Sequence, residues 1–189
     1  LFILIILVFF SGELVWRDRD VQVNEVIDST PHSTLIPLFS KTLSLFSLSV
    51  VIHLVLVLIA IIYQLISGFT QIEFSLYIKD YIYNMFPLYF TTCSVLVAIQ
   101  VIVNNKYIGY MVSVIVLLVS DIILLILDVN SNMLSLGATP YMIYSDLNGY
   151  GPSNSGVFWF STYWMLFGLL LLTLSGIIWN RGAKKSFKE

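Results

Sequence analysis

Val50-Val51-Ile52-His53-Leu54-Val55-Leu56-Val57-Leu58-Ile59-Ala60-Ile61-Ile62 decides the fold. His53 is the one polar side chain in this run, which forms the heart of an apolar segment from about Leu38 to Ile66. A bilayer core of about 30 Å is crossed by about 20 apolar residues in a helix. At roughly 1.5 Å per residue the segment reaches about 43 Å, so it must tilt or protrude. Lys41 sits in its first turn, and its aliphatic stem would let the charge snorkel to the head groups.

Working outward, three more segments are long and apolar enough to span. They run from about Pro87 to Val103, from about Tyr107 to Leu127, and from about Val157 to Trp179. Trp159, Tyr163, Trp164 and Trp179 flank the last one as interfacial belts do. The sequence opens on Leu1 to Phe10, all apolar, with no basic flank before it. Residues 1–10 are too few to span, so they are expected to be the tail of a truncated transmembrane helix, and the chain a fragment. The fold class predicted is an all-α membrane protein: a polytopic bundle of four full transmembrane helices plus the truncated one, with amphipathic interfacial helices.

Composition agrees. Of 189 residues, 58% are hydrophobic and 11% charged, where a soluble domain carries about 25% charged residues. Mean hydropathy is +0.92. Nine Lys+Arg against eleven Asp+Glu leave no basic field for nucleic acid. One cysteine, Cys93, excludes an intrachain disulfide and reads as a small core residue. The two histidines, His32 and His53, stand far apart, and no cluster has metal-ligand spacing. HExxH, GxxxxGK[ST] and GxSxG are all missing. The expectation is therefore no enzymatic activity, no cofactor and no metal in this chain.

Charge sets the orientation. Arg17, Arg19, Lys41, Lys106, Arg181, Lys184, Lys185 and Lys188 fall on one side of a four-span topology, and Lys79 alone on the other. The positive-inside rule makes the eight-residue side the cytoplasm, with the 11–37 segment and the 180–189 tail both there.

Between the spans lie two amphipathic stretches. In residues 11–34, Glu13, Arg17, Asp18, Arg19, Asp20, Glu25 and Asp28 mix signs, while Val23, Val26, Ile27 and Thr30 recur at helical spacing. This segment is either an interfacial helix or a docking helix for a cytoplasmic partner. Thr34 is the expected N-cap of the span that follows. Phe74, Tyr77, Ile78, Tyr81, Ile82 and Met85 form a cleaner stripe, expected as an amphipathic helix at the outer interface. The outer loop from Asp128 to Gly156 is rich in turn formers.

Two ionisable residues lie within the spans: His53 and Asp121. Ionisable groups at that depth face the bundle or a wet cavity. They could form a proton or ion relay, or simply hydrogen-bond between helices.

Two stretches carry a resemblance. Gly12-Glu13-Leu14-Val15-Trp16-Arg17-Asp18-Arg19-Asp20, then Ile27-Asp28-Ser29-Thr30-Pro31 and Lys41, resemble the cytoplasmic segment of type-2 (export-type) ABC transporter permeases. The second stretch comprises Asn105-Lys106-Tyr107-Ile108-Gly109, Tyr144-Ser145-Asp146-Leu147-Asn148-Gly149-Tyr150-Gly151, Trp159-Phe160, Tyr163-Trp164 and Trp179-Asn180-Arg181-Gly182. Together these are similar to the second membrane half of a bacterial subgroup fused to a gluzincin-type zinc aminopeptidase. That family has a histidine after the Asn-Gly-Tyr-Gly run where this chain has Pro152.

The resemblance implies a permease half in the bacterial cytoplasmic (inner) membrane, moving a substrate with ATP hydrolysed by a separate subunit. That ATP-binding subunit would dock on residues 11–34, around Glu13, Arg17 and Arg19. Another permease half and the lipid bilayer are the other partners implied. The outer loop would carry the family residues Tyr144, Ser145, Asp146, Asn148 and Gly149. Two further readings stand beside this one: a non-transporting membrane anchor or scaffold of a fused aminopeptidase, and an ion-coupled carrier using Asp121 and His53.

Overall fold

A computed structural model describes residues 2–30, 33–68, 71–129, 131–142, 151 and 153–179, without the side chains of residues 120, 121 and 153. The elements are all helical: α1 (Phe2–Asp20), α2 (Asn24–Asp28), α3 (Leu35–Ile66), α4 (Phe74–Asp80), a π-helical turn (Tyr81–Met85), α5 (Phe86–Val103), α6 (Lys106–Ile126) and α7 (Ser153–Ile178). Four helical runs are long and apolar enough to cross a membrane: Leu35–Ile66, Phe74–Val103, Lys106–Ile126 and Asn154–Ile178. The chain is thus an all-helical protein with the character of a membrane protein.

α5 is the hub. It packs on α1, α3, α6 and most extensively on α7. Most of its buried side chains are small or β-branched, among them Thr91, Thr92, Cys93, Ser94, Val97 and Ala98. Small residues let helix backbones approach closely where lipid supplies no hydrophobic drive between helices. Leu7 and Val15 of α1, Leu38 and Leu45 of α3, and Leu172 of α7 close on this surface.

Helix α1 does not stop where the apolar run ends. It continues through residues 10 and 11 to Asp20, because Leu7, Val8, Ser11, Gly12 and Val15 stay on one buried face across that point. The charged residues that follow therefore belong to a helix already packed in the bundle. α2 is different. A left-handed turn at Gln22 (φ 59°) separates it from α1, and none of its five residues is buried. The stripe Val23, Val26 and Ile27 is exposed rather than laid on the bundle ends.

The stripe over 74–85 is likewise built differently from a separate interfacial helix. α4 passes through the π-turn into α5 as one run. The π-turn lies just before Pro87, which has no N–H and whose ring crowds the preceding turn. The backbone carbonyl oxygen of Tyr83, whose i+4 donor would have been Pro87, accepts from Ser161 Oγ at 2.9 Å. A hydrogen bond from α7 thus takes the place of one the proline cannot make. The stripe itself divides: Phe74, Ile78 and Ile82 are exposed, while Tyr77, Tyr81 and Met85 are half-buried.

Thr34 does not cap α3. Its backbone is already helical (φ −59°, ψ −25°) and its hydroxyl makes no capping bond. Ser33 Oγ instead accepts from Leu35 N at 3.4 Å. The turn between α5 and α6 matches its sequence better. Asn104 takes a left-handed conformation (φ 51°), which Asn tolerates. Asn105 is extended and its side chain accepts from Tyr107 N and Ile108 N at 3.0 and 3.2 Å, a full N-cap. At the other end, Trp164 Nε1 donates to Asn132 O and Ala138 O, fastening the described part of the outer loop to α7.

Candidate functional site

The C-terminal half of α1, the head of α3, the α5–α6 turn and the end of α7 meet at one end of the bundle. Four of the chain's basic residues, Arg17, Arg19, Lys41 and Lys106, lie there. Each of the last three is tied to a different feature of α1 or its neighbours.

Lys41 Nζ donates to Asp18 Oδ2 at 2.6 Å, to Leu14 O at 2.8 Å and to Val15 O at 3.2 Å. Its side chain is only 12% exposed. The expected snorkel to the head groups is thus replaced by an internal contact. A cation by the last turns of a helix meets the negative end of its dipole, and here it also finds a carboxylate. Lys106 Nζ bridges Glu13 Oε1 and Asp20 Oδ2, both at 2.9 Å, so it straddles two turns of α1. Tyr110 Oη adds a 3.3 Å bond to Glu13.

Arg19 Nη1 donates to Asn104 Oδ1 at 3.0 Å. Its guanidinium lies 4.8 Å from the ring centre of Trp16 and 5.3 Å from that of Trp179. Cations are held over such rings by the quadrupole of the π face. Trp16 Nε1 in turn donates to Gln100 Oε1 at 3.1 Å. Gln100, in the last turn of α5, is fully buried, and its Nε2 has no hydrogen-bond partner among the described residues. Gly109 makes this possible: any Cβ there would collide with the Gln100 amide, so the glycine admits the side chain between α5 and α6. Gly12 does the same for the Tyr110 ring beside α1.

The three expected docking residues therefore separate. Glu13 and Arg19 are held by partners within the bundle. Arg17 is exposed. The residues that organise this end, Trp16, Lys41, Gln100, Asn104 and Trp179, were not among those singled out for docking. Gln100 carried a signal: a primary amide inside an apolar span needs a donor or acceptor on a facing helix.

His53 lies elsewhere, part-buried on α3. Its Nδ1 is 3.2 Å from Tyr89 Oη, and its ring faces Tyr81 and Tyr89 at 5.1 and 5.7 Å between centres. Its hydrogen-bonding partner is a tyrosine of the central run. Asp121 belongs to α6, and its side chain lies outside the described residues. α3 packs on α1, α5 and α7, and α6 on α1 and α5. Tyr144, Ser145, Asp146, Asn148 and Gly149 also lie outside the described residues, as does the 180–189 tail. Among the described residues no group of His, Cys, Asp and Glu is placed to hold a metal ion.

The arrangement clamps α1 against α3, α5 and α6 through charge and hydrogen bonds while α2 projects beyond it. A displacement of α1 would therefore be felt at α3 and at the α5–α6 turn. Compared with protein-family models, with curated proteins and with solved structures, the chain finds no match.

Proposed function

We propose that the chain is the membrane-spanning half of an ABC-type permease, driven by ATP hydrolysis in a separate subunit that docks at its basic end and paired with another permease half. The observation that carries the reading is α2. It is a short helix in the resemblance segment, it leaves the bundle at the basic end, and it exposes Val23, Val26 and Ile27. An apolar stripe on a projecting helix, rimmed by Glu25, Asp28 and the exposed Arg17, has the composition of a partner-binding patch. α1 behind it is braced by Lys41 and Lys106, so a push on α2 would reach α3 and the α5–α6 turn.

Reversing Glu13, Arg17 and Arg19 would test docking poorly, because two of the three hold the bundle together. Val23→Asp with Val26→Asp is the sharper test, since neither side chain supports the fold. In the full-length permease these substitutions abolish co-purification of the ATP-binding subunit and its transport-coupled ATP hydrolysis. Unchanged co-purification and hydrolysis, with the protein still inserted, would reject the docking role and favour the anchor or scaffold reading.

A further inference from the structure

His53 lies about 18 Å along α3 from Lys41 and about 20 Å from Ile66, so it stands at mid-span. Its neighbours Leu54 and Val55 face outward. Its ring meets the second membrane-competent run twice. Nδ1 is 3.2 Å from Tyr89 Oη, and the ring centre is 5.1 Å from that of Tyr81 and 5.7 Å from that of Tyr89. On a regular helix, two residues eight apart point about 80° apart around the axis. The π-turn at Tyr81–Met85 takes up an extra residue, which brings the two tyrosines close to two whole turns apart and onto one side. His53 thus ties α3 to both sides of the π-turn.

The tie suits a neutral ring. An uncharged imidazole needs one partner at Nδ1, and the Tyr89 hydroxyl serves either tautomer. An imidazolium donates from both nitrogens, and at mid-span it is costly unless a counter-charge or water meets it. The groups that face it are Tyr81, Tyr89 and Asp80, and among the described residues Asp80 supplies the one negative charge near enough to act on it. That carboxylate is engaged by Asn84, whose Nδ2 donates to Asp80 Oδ1 at 2.7 Å, while Thr139 Oγ1 donates to Asn84 Oδ1 at 3.4 Å. α7 carries no charged residue, and the charges of α1 gather with Lys41 and Lys106 at the basic end. The closed arrangement also carries a cost. Tyr81 Oη is buried with no hydrogen-bond partner among the described residues, a penalty that the other contacts of this ring must offset. Loosening His53 removes one of those contacts, and a displaced Tyr81 regains water.

We propose that His53 binds a proton delivered from the Asp80 end of the bundle, and that the charged ring lets go of Tyr81 and Tyr89, freeing the arm formed by α4 and the π-turn from α3. The site is a proton switch: it holds the start of the second run at neutral pH and loosens it in acid. It needs neither Asp121 nor a transported ion, and it is independent of the permease reading.

Two readouts on the full-length protein in lipid nanodiscs test this. Nitrogen NMR of labelled histidine follows proton uptake by His53, whose signal is assigned by its loss in His53→Gln. Hydrogen exchange over residues 74–85, corrected for its intrinsic pH dependence, follows the arm. Between about pH 7.5 and about pH 5, His53 takes up a proton and exchange over the arm rises up to about ten-fold, the equivalent of one hydrogen bond. His53→Gln keeps a polar group opposite Tyr89 but cannot titrate, and it shows no such rise. Asp80→Asn keeps the acceptor for Asn84 but loses the charge, and it moves the rise toward lower pH by up to about one pH unit. A His53 signal that stays neutral throughout overturns the proton site. Titration of His53 with level exchange over the arm overturns the switch, as does the same rise in His53→Gln. Should His53→Gln not assemble, Asp80→Asn decides: a rise that does not move belongs to another group, and the proposal fails.

Discussion

The second membrane-competent run, Phe74–Val103, and its neighbours α3 and α6 are made for opposite surroundings. In its most apolar stretch the second run is 67% buried, against 11% for α3 and 12% for α6. Yet it is the least apolar of the three. In water that order would be reversed, since burial follows hydrophobicity. In lipid the surroundings are as apolar as leucine, so the helix that goes inside is the one with small side chains and hydroxyls that let its neighbours approach, and with an amide whose oxygen accepts from Trp16 of α1. Thr91, Thr92, Ser94 and Gln100 are buried, while Leu54, Ile59, Ile62 and Ile66 of α3 face outward.

That contrast is open to direct tests. The largest effect is expected where α5 meets α7. Ser94 is fully buried, and its Oγ bonds back to Phe90 O. Ser94→Leu overpacks the closest helix pair and should lower stability by up to ~3 kcal/mol, whereas Ala60→Leu on the exposed face of α3 should stay within about 0.5 kcal/mol. Thermal unfolding of the full-length protein in mild detergent reads both. Equal losses at the two positions would break the comparison.

Next in size is Lys41→Met. It removes the cation that bonds Asp18 and two α1 carbonyls, and it leaves a partly buried carboxylate without its partner. The expected loss is about 1–2 kcal/mol. Hydrogen exchange at residues 14–20 should rise with it, because those turns lose their brace to α3. An unchanged exchange pattern would mean that packing alone holds α1 in place.

The smallest effect belongs to Lys106→Met. Its partners Glu13 and Asp20 are more than half exposed. Water and salt screen the pair, so about 0–1 kcal/mol is expected, falling further as ionic strength rises. A loss as large as that of Lys41→Met, insensitive to salt, would show that the Lys41 and Lys106 contacts on the C-terminal half of α1 are equally dry.

Much of the fold could be read from residue pattern. The four apolar helices begin and end within a few residues of the runs read from sequence, except the second, because each carries a long apolar run between turn residues. The Asn104-Asn105 turn left a signal that the sequence analysis did not use, since Asn suits both a left-handed position and an N-cap. The second span was read from Pro87, where a helix would ordinarily begin. Its upstream extension was hidden because a π-turn and a hydroxyl from α7, distant in sequence, make the proline tolerable. The site was legible only in outline. Mixed charge marked residues 11–34 as special, but Glu13 and Arg19 turned out to serve the bundle. Nothing local tells a carboxylate whether its cation will be a partner protein or Lys106.

The sequence by itself determined that this chain is helical, that four of its segments suit a membrane, and that a four-span topology would gather its positive charge on one side. These follow from local quantities: run length, periodicity and the order of charges along the chain. Only the tertiary structure decided that α5 is the hub, that Lys41 turns inward, and that Gln100 meets Trp16 while His53 meets Tyr89. Those outcomes depend on which faces of distant helices come within 3 Å or so of one another, and hydrogen bonds and close packing are decided at that range.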